Sequence, residues 1–298
     1  MRMTPQRLLV RNRDQAFALA ERSSRRDVYK MLERARRELS ERLESLPRGM
    51  DGRFTQERMR ATLAQVETVM GQVGRDLTRV GRDQIRAASE RGMEDTLRYL
   101  HSVERQYRGV TVPLSLDRAA LFDHSLEGVQ STLLRQFPSS VSRYGLQSIA
   151  KFERELQQGV LQQQSMDHVV DRLVEQDRFF EGRRYWAERI VRSESMGSYG
   201  RSSLEAIQVT REEDWPDLLK VWVTYHDDRT GEDSLEMDGQ VRRPDEPFEN
   251  SMPGQPDVMS PPNRPMCRCV TVAWRPEWPK PVTKKPLWGD VPVGRRGR

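Results

Sequence analysis

The sequence predicts a mainly α-helical protein with a small α+β part near the C-terminus. Two observations carry this prediction: apolar residues recur at spacings of three and four through the first 210 residues, and strand-like alternation begins only beyond them. We expect four parts in order: a long helical hairpin or coiled-coil-like arm at 1–108, a helical middle at 109–210, a small antiparallel sheet at 211–274 packed on a helix 183–207, and an extended, basic, proline-rich tail at 275–298.

The first two predicted helices cover residues 14–46 and 55–100, with a break rich in glycine and proline between them. Their apolar stripes are Val28, Leu32, Ala35, Leu39, Leu43 and Leu46 in the first, and Met59, Leu63, Val66, Met70, Val73, Leu77 and Val80 in the second. The second stripe has the heptad period of a coiled coil. The stripes either bury each other in an antiparallel hairpin or pair with another copy or protein. Gly71, Gly74 and Gly81 either interrupt the second helix or admit a close neighbour.

The helical middle is expected to contain four helices. Ser115 is a predicted N-cap for a helix that runs to Phe137, Pro138 resets the chain, and a further helix covers 140–163. Another begins at Ser165, and the last strong helix runs from Arg183 to Ile207.

Beyond residue 210 the pattern changes to short strands. Val221, Val223 and Tyr225 alternate with polar or aromatic neighbours, Asp238-Gly239 is a hairpin-turn signal, and residues 269–274 alternate again as a closing strand.

Length and composition favour a surface-rich helical protein over a compact enzyme. Of the 298 residues, 32% are charged and 36% are hydrophobic. We find no apolar run of the roughly 18 residues that span a bilayer, and no secretion signal is expected. Two cysteines in such a chain imply no disulfide framework and favour a reducing compartment.

The net charge of +5 is unevenly distributed. Residues 1–60 contain sixteen basic and nine acidic side chains, residues 275–298 contain seven and two, and residues 211–261 contain five and fourteen. Contact with nucleic acid is therefore expected at the two ends of the chain and not on its acidic body. The tail residues that could touch phosphates are Lys280, Lys284, Lys285, Arg295, Arg296 and Arg298, while Trp278 or Trp288 could anchor the tail in a groove of a partner protein.

Both cysteines stand in one C-x-C motif, Cys267 and Cys269, and three interpretations are open. A zinc site would need His226 and a carboxylate such as Asp228 as further ligands, because structural zinc takes four. A nucleophilic thiol would need His226 as its base. A packed corner needs neither, because free cysteine behaves as a small buried hydrophobe. The acidic run 226–238 does not have the spacing of a calcium loop.

Glu194 falls on the apolar stripe of the helix 183–207, together with Trp186 and Ile190. A buried carboxylate is costly unless it is paired. Either Glu194 lies at the edge of the stripe in water, or Arg268 or Arg229 provides a bidentate partner.

Taken in order, these pieces resemble the phage Mu F-like minor head proteins, the phage head morphogenesis family, over about residues 185–274. The family pattern is an Arg-Thr-Glu helix, then Trp…Asp-x-Arg-Thr, Leu-x-Gly, a Phe, and Pro-Pro-x-His-x-x-Cys-Arg-Cys. The matching positions are Arg192, Ser193, Glu194, Trp222, Asp228, Arg229, Thr230, Met237, Gly239, Phe248, Pro261, Pro262, Cys267, Arg268 and Cys269. Two departures concern metal binding: Arg264 stands where many relatives carry histidine, and Gly231-Glu232-Asp233 replaces cysteines that some carry after Arg-Thr.

The resemblance implies a structural, non-enzymatic virion component with no metal and no cofactor, whose thiols form the packed corner and face the helix 183–207. It implies action in procapsid assembly, inside the capsid near the portal, after synthesis in the host cytoplasm. The implied partners are the portal protein, a scaffold or major capsid protein, and double-stranded DNA, with no membrane contact. The alternatives are an enzyme or toxin-related module that uses Cys267 or Cys269 with His226, and a stand-alone DNA-binding protein.

Overall fold

A computed structural model describes residues 5–47, 53–108, 116–169, 177–224, 230–250, 254–265 and 267–278. The described residues are mainly helical, with a small antiparallel sheet in the C-terminal part, which confirms the predicted fold class. The elements in chain order are α1 (Pro5–Glu44), α2 (Gln56–Arg108), α3 (Leu116–Leu161), α4 (Asp177–Glu213), β1 (Leu219–Val223), α5 (Glu232–Met237), β2 (Val241–Arg242) and β3 (Val270–Trp274).

The chain forms two compact units that do not follow the order of the sequence. The terminal unit consists of Met1–Ala20, Gln84–Leu134 and Arg192–Arg298, and the helical unit consists of Glu21–Asp83 and Arg135–Val191. Each of the four long helices therefore contributes residues to both units. The predicted boundaries at 108, 210 and 274 stay predictions.

The helical unit buries the two N-terminal stripes that the spacing predicts. All five stripe positions within α1, Val28 to Leu43, are buried, as are four of the seven in α2, from Val66 to Leu77; Leu46 lies beyond the end of α1. A hydrogen bond of 3.1 Å from Arg42 to Gln65 joins α1 to α2 near their connection. Most of both stripes is thus buried within this unit of the chain.

The structure contradicts the predicted break in the middle region. A single helix, α3, continues through Pro138, although a proline there removes one backbone hydrogen bond and costs about 3 kcal/mol. Phe137 and Val141 on either side are buried, and their packing offsets that loss. Gly81 in α2 makes room for Phe137, since a Cβ at Gly81 would lie 2.0 Å from the Phe137 ring. Gly81 therefore admits a close neighbour, as one of the two interpretations predicted, and α2 is not interrupted at Gly71, Gly74 or Gly81.

In the terminal unit the three-stranded sheet has the order β2–β1–β3, with both pairings antiparallel. Successive side chains of the central strand β1 point to opposite faces of the sheet, and those on both faces are buried. Val221 and Val223 pack with Leu100 of α2 and Ile207 of α4 in the main core. Trp222 points the other way, into a second small core. The sheet therefore separates two apolar clusters.

Two sequence expectations differ from the structure here. Asp238-Gly239 does form a turn, with φ +79° at Gly239, but the residues before it form α5 and not a strand. The turn thus joins a helix to β2, and its backbone is tied to β1 by a hydrogen bond of 2.8 Å from Gly239 N to the Trp222 carbonyl.

The second difference concerns the start of the tail. Arg275 and Trp278 are buried: Trp278 belongs to the main core, is 5% exposed and meets Trp215 edge-on at 5.8 Å. Arg275 pairs with Asp217 at 2.6 Å. Trp278 therefore anchors the chain to its own fold and is not available for the groove of a partner. Residues 279–298, with Trp288, lie outside the described residues.

Candidate functional site: a thiol cluster and an adjoining cleft

The motif residues of the C-terminal part assemble one small buried core, which we call the thiol cluster: Trp222, Met237, Phe248, Cys267 and Cys269. The Trp222 and Phe248 rings meet edge-on at 5.3 Å. Both cysteines are free and 3% exposed. The cluster lies on the Trp222 face of β1, whereas Tyr199 and Ile207 of α4 belong to the core on the opposite face. This arrangement differs from the prediction that the thiols face the helix 183–207.

The pKa values of the two thiols shift in opposite directions, and the hydrogen bond that they share contributes to both shifts. Donation by the Cys269 thiol stabilises the Cys267 thiolate and, with backbone donors and Arg13, lowers the pKa of Cys267 to about 6 despite burial. Burial and the neighbouring Cys267 raise the pKa of Cys269 well above its usual value. The Thr224 hydroxyl lies 3.5 Å from the Cys269 sulfur. Burial shields both sulfurs from solvent, and their side chains pack in the thiol cluster.

A buried arginine of the first helix holds the backbone of the C-R-C motif. Arg13 is 1% exposed, and its guanidinium donates to the Cys269 carbonyl at 2.6 Å and also to the carbonyl of Arg268. These charge-assisted hydrogen bonds connect residues about 255 positions apart in the chain. Residues near the N-terminus are thus part of the folded C-terminal structure, and Arg13 does not belong to the basic surface that the charge count predicts.

A buried lysine ties two loops to the central strand. Lys220 of β1 is fully buried, and its ammonium donates to the carbonyls of Met259 at 2.8 Å and Pro244 at 3.3 Å. The ammonium also lies 4.6 Å from the centre of the Phe248 ring, a cation–π distance. Burial lowers the pKa of Lys220 to about 8, against an opposing attraction from nearby carboxylates.

The two prolines of the family motif rest directly on α4. A Cβ at Gly200 would lie 2.1 Å from the Pro261 carbonyl oxygen, so only glycine admits the loop at this point. At Gly197 a Cβ would lie 3.7 Å from Pro262, an ordinary contact. The loop 257–262 is therefore held against α4 by a close backbone approach, and on its other side by Lys220 through Met259.

Next to this contact the terminal unit has a cleft of about 890 Å³ between α3, α4 and the loop 257–262. Its polar lining includes His124 from α3, Glu194 and Arg201 from α4, and its apolar lining includes Pro261 and Pro262. Glu194 is half-buried. Its pairing with Arg268 or Arg229 stays a prediction. The cleft is the place where the Arg-Ser-Glu and Pro-Pro parts of the motif meet.

The position that carries histidine in many relatives is engaged in an ion pair. Arg264 pairs with Asp233 at 2.8 Å, and Asn263 donates to the same carboxylate at 3.0 Å. Asp233 lies in the first turn of α5. The side chains that depart from the metal-binding pattern thus hold α5 to the loop before the C-R-C motif. Within the described ranges, no group of three or more His, Cys, Asp or Glu side chains has metal-binding geometry.

The remaining predicted site residues are placed as follows. Arg192, Thr230 and Arg268 are half-buried. His226, Asp228 and Arg229 lie outside the described residues, and so do Lys280, Lys284, Lys285, Arg295, Arg296 and Arg298. Their predicted roles stay predictions.

Sequence reasoning missed three residues that hold this region together: Arg13, Lys220 and Gly200. Arg13 and Lys220 carry no local signal, because basic residues in a helix or strand are usually exposed. The signal for Gly200 was present in the Gly197-Ser198-Tyr199-Gly200 stretch, since two glycines within a helix are costly unless something packs against them.

Fold and site together define a mainly helical protein whose motif residues are largely used to pack a small sheet and its loops. In agreement, residues 150–272 match the family described as Phage Mu protein F like protein, which confirms the predicted resemblance over that part of the chain. The match suggests a phage head morphogenesis protein, and the family is structural and not enzymatic. Comparisons with curated proteins and with solved structures give no significant match. Among the described helices, none is long and apolar enough to cross a membrane.

Proposed function

We propose that this protein is a minor head protein of a tailed phage or prophage, which joins the procapsid near the portal and resides inside the capsid. The supporting observation is that the family match at 150–272 falls on the segment whose motif residues build the thiol cluster and the adjoining cleft. Motif side chains that are largely buried in packing suit a protein whose task is to hold other proteins. The proposed partners are the portal protein and a scaffold or major capsid protein, met in the host cytoplasm during assembly.

The proposal is tested by assembling procapsids in cells that express the cognate portal, scaffold and major capsid genes with this protein. We expect purified procapsids to retain the protein at low copy number. Omitting the portal gene alone should remove the protein while shells still form. Equal incorporation with and without the portal would contradict a position near the portal, and absence from both kinds of shell would contradict the head assignment.

We further propose that the basic tail contacts packaged DNA through its phosphates. The support is compositional, since Lys280, Lys284, Lys285, Arg295, Arg296 and Arg298 stand within twenty residues that contain one acidic side chain, Asp290. Phosphate contacts of this kind depend steeply on salt, with a log–log slope near −0.9 for each phosphate neutralised.

The test for DNA contact measures the affinity for double-stranded DNA across a salt series. Replacing Lys280, Lys284 and Lys285 together by Gln should flatten the slope by about 0.9 for each phosphate that is no longer neutralised. The matched control replaces three exposed arginines of α2, Arg60, Arg82 and Arg86, by Gln and should leave the slope unchanged. Equal slopes for the two triple variants would reject the tail as the DNA contact.

A further inference from the structure

The cleft between α3, α4 and the loop 257–262 has the features of a binding site for a peptide segment. Its volume of about 890 Å³ lies within the range of roughly 300–1,000 Å³ that is typical of ligand pockets. It belongs entirely to the terminal unit, so one compact body forms all of its walls. Val129, Leu204 and Val258 provide apolar surface alongside the two prolines. Such walls accept an apolar or proline-containing chain.

The charge of the walls selects for a basic occupant. Three carboxylates line the cleft, those of Glu194, Glu205 and Asp257, against the guanidinium of Arg201. Asp257 is exposed, and one of its oxygens accepts a hydrogen bond from the Asn250 backbone at 2.9 Å, while the other has further acceptor capacity. Glu205 is half-buried. A segment with several Lys or Arg side chains is therefore complementary to this lining.

The chain itself contains a segment of this chemistry, residues 279–298. It carries six basic side chains against Asp290, and between them stand apolar residues and four prolines, Pro279, Pro281, Pro286 and Pro292. Prolines restrict the free chain to extended conformations, so less conformational entropy is lost when such a segment binds. The same combination of proline and basic side chains matches apolar walls with interspersed carboxylates.

The segment also begins where it can reach the cleft. Trp278, the residue before it, is buried in the main core of the same unit, with its backbone carbonyl accepting from the Trp274 indole at 3.1 Å. Twenty residues in extended conformation span up to about 66 Å. A compact unit of this size has a radius of gyration of only about 15 Å, so the length of the segment does not limit binding.

From these observations we propose that the cleft is a docking site for the C-terminal segment 279–298 of the same molecule. Lysines of the segment would pair with Glu205 and Asp257, and its prolines and apolar side chains would lie on Val258 and Leu204. This docking does not depend on the proposed place in the phage head, since it concerns the full-length chain in the absence of DNA, which would compete with the cleft for the same lysines.

The direct test is zero-length cross-linking of the full-length protein with a carbodiimide. The reagent activates a carboxylate, a lysine amine in contact attacks the carbonyl carbon, and an amide forms as the urea by-product leaves. We expect Lys280, Lys284 or Lys285 to be joined to Glu205 or Asp257, with yields that fall at 1 M salt, where the Debye length is about 3 Å. Mixing unlabelled and ¹⁵N-labelled protein shows whether each cross-link is within one molecule.

Three results would overturn the docking proposal. They are no cross-link from these lysines, cross-links to carboxylates outside the cleft alone, and cross-links between two copies alone. The last would make a second molecule the occupant.

A second measurement follows the accessibility of the segment to trypsin after Lys284. In the double variant Glu205→Gln/Asp257→Asn the cleavage rate should rise about threefold or more, because the two ion pairs that protect the segment can no longer form. The matched control, Glu67→Gln/Glu90→Gln, changes the net charge equally at exposed positions of α2 and should cleave at the wild-type rate. Equal rates in both double variants would reject the docking.

Discussion

The replacement Arg13→Ala tests whether the first helix holds the C-R-C motif in place. The side chain of Arg13 is 1% exposed, and it donates to the carbonyls of Cys269, at 2.6 Å, and Arg268. Alanine would remove both donors at once. The two carbonyls would then lack this partner in a region where water has little access.

The expected loss of stability follows from the two hydrogen bonds. A hydrogen bond from a charged donor contributes about 1.5–3 kcal/mol, which gives about 3–6 kcal/mol for the pair. Part of this is offset, because the variant no longer has to bury a guanidinium. We therefore expect Arg13→Ala to lower the free energy of unfolding of the terminal unit by about 2–4 kcal/mol. The loss of stability for Arg13→Lys should be smaller than that for Arg13→Ala but still measurable, since an ammonium keeps the charge but not the planar fork of donors.

Urea denaturation followed by tryptophan fluorescence measures this loss. Four of the six tryptophans report on the terminal unit, namely Trp215, Trp222, Trp274 and Trp278. The matched control is Arg26→Ala, at an exposed position of the same helix, for which a change within about 0.5 kcal/mol is expected. If Arg13→Ala unfolds at the same urea concentration as Arg26→Ala, the first helix does not hold the C-R-C backbone.

Three further changes test other contacts of the terminal unit. Gly200→Ala should destabilise the protein by more than about 2 kcal/mol, because its Cβ would meet the Pro261 carbonyl at 2.1 Å. Gly71→Ala, at an exposed helical position, should instead stabilise it by about 0.5–1 kcal/mol. Shifts of the unfolding temperature in the same direction for both variants would contradict this. Lys220 has a folded-state pKa of about 8 against 10.5 in the unfolded chain, so the unfolded chain binds more protons between these pH values. The free energy of unfolding of the wild type should therefore rise with pH in this range, by up to about 1.4 kcal/mol per pH unit relative to Lys220→Met. Urea titrations at pH 7 to 10 measure this difference, and parallel curves for the two proteins would refute the burial of the ammonium. Trp278→Ala should lower the free energy of unfolding by about 3–5 kcal/mol in the same titrations. A loss typical of a surface residue would show that Trp278 does not belong to the main core.

The helical architecture could be read from the sequence because its signal is local. Apolar spacing in the first hundred residues places the stripes of α1 and α2, and most of those positions are buried. The strand at 270–274 was likewise visible as alternation. In the two helices the pattern reflects one side of the element facing a core, which depends on near neighbours in the sequence. All five residues of β3 are buried, so its alternation reflects the opposite directions of successive side chains.

The errors arise where tertiary contacts override a local rule. Pro138 usually ends a helix, but packing of Phe137 and Val141 keeps α3 continuous. The residues before Asp238 form the short helix α5. The sequence could not predict this, because a turn signal does not specify which element precedes it. Arg13 could not be found from sequence at all, since its partners lie about 255 positions away and are backbone carbonyls, which carry no residue-specific signal.

The burial of the motif also determines what a family resemblance can predict. Trp222, Phe248, Cys267 and Cys269 are almost inaccessible to solvent, so their identity is required by packing and reports on the fold. Other motif residues, Glu194, Pro261 and Pro262, line the cleft together with residues outside the motif. Two proteins can therefore share the buried part of the motif and differ in the surface that they expose. For this protein, substitutions at the exposed positions of α3, α4 and the loop 257–262 should therefore leave the thiol cluster intact.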